Sequence, residues 1–127
     1  LDLIFLTRDY IIAPVEKRNY EPPSFLAYRK SNLSIDFISP ITPQKHAPWV
    51  AIDMNNGIAY SSEFDNVTYL YSYNASSHFS FMERIALQGY SNAGGLMNVQ
   101  GGDVHGKYLF LSTNSGQNPE GNVFIVS

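Results

Sequence analysis

The second half of this chain repeats itself at a spacing of about fifty residues, and that restricts its fold more than any motif. A shift of 50 lays Ala51-Ile52-Asp53 on Gly101-Gly102-Asp103, and residues 58–62 on 108–112. The next run, 68–73, falls on 122–126 at a shift near 53, because the loop at 114–121 is longer than its counterpart. Repeats of roughly 40 to 50 residues built from several short strands signal a propeller or solenoid, in which each unit buries its faces only against its neighbours. Within one unit the strands read as 49–53, 58–63, 68–73 and 79–87, separated by turn residues at 55–57, 65–66 and 74–77. Four consecutive strands of this kind make one antiparallel propeller blade.

Apolar runs elsewhere are equally short, β-branched or aromatic, and punctuated by Gly, Asn, Ser and Pro, which predicts an all-β chain. Further strands are expected at 3–7, 25–29, 33–38, 98–104, 108–113 and 122–126. Only 79–87 has a helical competitor, through Phe81, Arg84 and Ile85. At nine residues it is too short to prefer a helix, and it reads as an outer strand. The count is three strands, then four, then three, or two and a half four-stranded blades in one domain. Residues 1–47 form an incomplete blade with an insertion at 8–24, 48–97 a full blade, and 98–127 a second incomplete one.

Composition narrows the function. With 44% apolar residues, 15% charged, and nine Tyr, eight Phe and one Trp, the chain can build a core. Eleven acids against eight bases, without a basic run, give no electrostatic footprint for nucleic acid. The absence of cysteine excludes a thiol nucleophile and a disulfide framework. No apolar run approaches the roughly 20 residues of a membrane-spanning helix.

The segments Pro48-Trp-Val-Ala-Ile-Asp-Met-Asn-Asn-Gly-Ile-Ala-Tyr-Ser-Ser62 and Val99-Gln-Gly-Gly-Asp-Val-His-Gly-Lys-Tyr-Leu-Phe-Leu-Ser112 resemble blades of the broad β-propeller group that includes NHL-repeat, YVTN-type and gluconolactonase-like proteins. The likeness spans about residues 48–126 and speaks for fold more than function. It implies that ligands meet the face formed by loops leading into each innermost strand and loops between second and third strands. That face would carry the ligand-binding candidates His46, Trp49, Glu63, Asp65, Asn98 and Gln100, with Asn92 and Asn114 nearby. Gluconolactonase-like propellers hold a divalent cation such as calcium with Glu, Asn and Asp oxygens, but no residue here matches those ligands one for one.

Other readings of the same residues are structural. Asp53 and Asp103 stand before hairpin turns and are expected to accept turn N–H groups as equivalent caps. Trp49 reads as a wedge between blades or as a stacking platform at the channel mouth. The tyrosines at 69, 71 and 73 share one sheet face, and Ser61, Ser62 and Ser112 lack any nucleophile elbow around them. Two functions follow. The first is a binding segment of a larger extracytoplasmic protein, offering a loop face to a protein or glycan. The second is part of a metal-dependent lactonase or other hydrolase. The missing catalytic set favours the first. The sequons at Asn32, Asn66 and Asn74 and the start at Leu1 support a secreted, processed piece, and the partial blades predict partners from the same precursor that complete the ring.

Overall fold

A computed structural model describes residues 8–16, 22–90, 94–114 and 121–127. The described chain is all-β and forms three antiparallel sheets, each a meander of strands consecutive in sequence. The first sheet contains β1 (Tyr10–Val15), β2 (Ser24–Arg29) and β3 (Ile35–Pro40). The second contains β4 (Ala51–Asp53), β5 (Ile58–Ser61), β6 (Tyr69–Asn74) and β7 (Ser80–Ala86). The third contains β8 (Val99–His105), β9 (Tyr108–Asn114) and β10 (Gly121–Val126). The expected four strands at 49–87 and three at 98–126 are therefore observed, and the segment with a helical competitor forms strand β7.

One expectation fails at the start of the chain. The strand placed at 3–7 lies outside the described residues, and the first strand described, β1, falls inside the segment 8–24 read as an insertion. Its run Tyr-Ile-Ile-Ala-Pro-Val has strand composition but is interrupted by Pro14, which cannot donate to a ladder. The structure seats β1 at a sheet edge, where a residue without an N–H is tolerated.

Alternation along β6 shows how the sheets stack. Tyr71 and Tyr73 point to one face and join Phe25, Ile41, Ala59 and Phe79 in a core between the first and second sheets. Leu70 points to the other and joins Trp49, Ala51, Val99, Leu109 and Leu111 between the second and third. The inner strands of the middle sheet are thus covered on both sides, whereas its outer strand β7 is exposed along its length. Tyr69 departs from the stripe. It is exposed beneath the Arg84 guanidinium, 4.8 Å from the ring centre.

The β6–β7 hairpin turns through His78 and Phe79, both at positive φ. Left-handed backbone is unfavourable for an aromatic residue, yet here it directs the Phe79 ring into the core, 5.3 Å from Phe25.

The hairpins of the second and third sheets are not equivalent. Asp53 pairs with Ile58 across a four-residue turn, whereas His105 pairs with Tyr108 across two residues. Asp103 therefore stands opposite Phe110, as Ala51 stands opposite Tyr60. Asp53 acts as the expected cap: its carboxylate accepts the Asn55 and Asn56 N–H groups and the Asn56 side-chain amide. Asp103 lies exposed within β8, so the expectation of matching caps is corrected.

Candidate functional site

The segment leading into β4, the loop after β5, the approach to β8 and the end of β9 meet at one end of the stacked sheets. Two carboxylates organise the first of them. Glu63 accepts the Lys45 and His46 backbone N–H groups, each at 2.8 Å. Glu16, just past β1, accepts the Ala47 N–H at 2.6 Å and lies 3.1 Å from His46 Nδ1. Three successive main-chain donors are thereby satisfied by two side chains more than fifteen residues away. Charge-assisted hydrogen bonds of this type are about twice as strong as neutral ones, so the 45–47 segment is held firmly.

Beneath that segment runs a buried polar network. Gln44 donates through Nε2 to the His46 and Ser62 carbonyls and the Ser61 hydroxyl, and its Oε1 accepts from Tyr73 Oη at 2.6 Å. Ser61 donates onward to the Trp49 carbonyl, and Trp49 Nε1 donates to Ser62 Oγ. Every partner is satisfied, which makes the network rigid and specific. Burial raises the Tyr73 phenol above its ordinary pKa and keeps it a neutral donor.

A second cluster ties the β5–β6 loop to β8. Asp65 accepts the Asn98 N–H at 2.9 Å, and Asn98, at positive φ, donates through its side chain to the Asn114 carbonyl. The bridge between Val67 and Leu96 closes the same junction.

Above the first segment opens a cleft of about 780 Å³. Its polar rim is Glu16, Lys45, His46, Glu63 and Asp65, and its apolar lining includes Phe64 and Tyr71. His46, Glu63 and Asp65 therefore share one cleft, while Asn98 lies behind Asp65 at the neighbouring junction. Gln100 is exposed on β8 beside a bulge and does not line the cleft. Asn92 lies outside the described residues. Trp49 is only 3% exposed and does not line the cleft. Its ring lies against Gly102, where a Cβ would come within 2.4 Å of it, so this wedge needs a glycine. Glu16, Gln44 and Tyr71 were not anticipated. Glu16 sat in the supposed insertion, and Gln44 in a Pro-bounded loop with no pattern to mark it.

Among the described residues no three His, Asp or Glu side chains gather closely enough to ligate a divalent cation, and both oxygens of Glu63 already accept main-chain N–H groups. No protein-family model matches the chain, and no curated protein or solved structure shows significant similarity to it.

Proposed function

We propose that the chain is a binding segment of a larger propeller-like array, in which its three sheets are consecutive blades continued by further segments of the same precursor, and that the loop-end cleft receives part of a protein ligand. The sheets support the array reading by stacking in chain order as up-and-down meanders, with their first strands β4 and β8 side by side. One observation carries the binding reading: Glu16 and Glu63 spend their oxygens holding residues 45–47 in place. A wall fixed before the ligand arrives lowers the ordering cost of binding. Carboxylates committed in this way serve a recognition surface better than proton transfer, which favours binding over the hydrolase alternative. Three acidic side chains against Lys45 suit a segment presenting a basic side chain, with Phe64 and Tyr71 as its apolar seat.

Amide shifts on titration with a panel of basic, aromatic-containing peptides test this. The expected perturbations fall on His46, Asp65 and Tyr71, and Asp65→Ala weakens them. Perturbations at the other end of the sheets, on the turns at 54–57 and 75–79, would overturn the reading.

A further inference from the structure

Three asparagines carry the Asn-x-Ser/Thr pattern, at 32, 66 and 74, and the fold treats them differently. Asn74 pairs with Ile58 on one side and Ser80 on the other, inside the ladders of the second sheet. Alternation along β6 places it on the face that carries Leu70 and meets the third sheet. Its neighbour Ala75 is fully buried and donates its N–H to the Gly57 carbonyl, so the pattern at 74–76 is seated against the β4–β5 turn. Asn66 is exposed, but it lines the cleft.

Asn32 stands at the tip of the β2–β3 turn, where Ser31, Leu33 and Ser34 are exposed with it. Main-chain bonds alone close that turn. The Leu33 N–H donates to the Arg29 carbonyl at 2.8 Å, and the Arg29 N–H donates to the Ser34 carbonyl at 2.9 Å. Leu33 reverses the chain at φ 58° and is itself 64% exposed. Asn32 Oδ1 accepts the Ser34 N–H at 3.0 Å and the Ser34 hydroxyl at 2.7 Å. Because a backbone N–H requires an acceptor, these bonds identify the oxygen of the side-chain amide. Nδ2 is left without a hydrogen bond among the described residues.

We propose that Asn32 is an N-glycosylation site and that the fold excludes a glycan from Asn74. The donor is an oligosaccharide carried on a lipid diphosphate. Asn32 Nδ2 forms a bond to C1 of the first sugar as the bond from C1 to the diphosphate oxygen breaks; the amide nitrogen gives up one proton and the lipid diphosphate leaves. A glycan on Asn32 projects from a turn that needs nothing from Nδ2. On Asn74 it would have to stand within a four-stranded sheet, beside a fully buried alanine, and a chain so modified could not complete its second seam. The proposal builds on the extracytoplasmic location expected from the sequence and uses no residue of the cleft.

The test secretes the full chain from cultured human cells behind a supplied signal peptide, with Thr68→Val removing the pattern at 66–68. Enzymatic removal of N-glycans in heavy-oxygen water converts each occupied asparagine to a labelled aspartate, which peptide mass spectrometry reads. Secreted protein with the near-ultraviolet dichroism of a packed Trp49 is expected to carry the label at Asn32 and to lack it at Asn74. Asn32→Gln should abolish the mobility shift that glycan removal produces. If the Thr68→Val chain is not secreted, the unsubstituted chain is read in the same way, since the three asparagines can be scored separately. No label at Asn32 in secreted, folded protein would overturn the proposal, and so would label at Asn74. Because the signal peptide is supplied, failure falls on the site and not on the expected location. Asp65→Ala leaves the labelling unchanged, which separates this result from failure of the cleft reading.

Discussion

The two seams between sheets are built on different physical terms. Between the first and second sheets, aromatic rings meet edge to face: Phe25 lies 5.6 Å from Tyr73 and 5.3 Å from Phe79, both at 83°. Beneath them the Tyr73 hydroxyl enters the Gln44 network. Between the second and third sheets, aliphatic side chains surround one indole resting on Gly102. The first seam is directional, set by quadrupoles and hydrogen bonds, whereas the second is a matter of fitted shape. The cleft opens over the directional seam. A surface whose positions must be kept constant is better founded on bonds with preferred angles than on contacts that can slide.

Substitutions can break this contrast at several depths. Phe25→Ala removes the ring shared by both aromatic pairs and should cost about 4 kcal/mol in denaturant unfolding. Gly102→Val attacks the shape-fitted seam by placing carbon where the indole lies, and about 3 kcal/mol is expected with loss of the Trp49 near-ultraviolet dichroism. Should Gly102→Val leave that signal unchanged, the wedge account of Trp49 is wrong. Tyr73→Phe keeps the ring and deletes only the hydroxyl. The Gln44 carbonyl oxygen then loses its donor in a buried site, at about 2 kcal/mol, and the 45–47 amides should exchange faster than those near Trp49. Asp53→Ala should cost about 1 kcal/mol, against almost nothing for Asp103→Ala, because only Asp53 caps a turn. Equal costs for the two would refute the two-residue offset between the hairpins.

The smallest effect is electrostatic. On the open surface of the first sheet, the Tyr10 hydroxyl and then the Arg29 guanidinium bond Asp36, holding its carboxyl below the usual carboxylate range. A pKa lowered on folding contributes stability above the unfolded-state value, and that contribution fades as pH falls through the folded-state one. Thermal midpoints measured between about pH 5 and pH 2 should therefore fall slightly more steeply for the wild-type chain than for Asp36→Asn.

Strand composition and turn residues made the second and third sheets legible in the sequence, including the number of strands in each, because a meander is written in local patterns. The exceptions have local causes too. Pro14 hid β1, and two residues fewer in the second hairpin disguised the true partner of Asp53. The site was less legible. Its loops could be placed at one end from the order of strands alone, which brought in His46, Glu63 and Asp65. Gln44 and Glu16 act through partners about 30 residues away, Tyr73 for one and the Ala47 amide for the other, and no spacing rule announces such pairs.

Because every strand ladder among the described residues joins neighbours in sequence, ordering one hairpin closes only a short loop. Folding can then advance from sheet to sheet in the order the chain leaves the ribosome, each finished meander offering an apolar face to the next. Topologies of this local kind fold fast for all-β proteins, since little chain entropy is lost before contacts compensate for it. The slow step should be the docking of sheets, where the Gln44 network and the Trp49 wedge must find their places together.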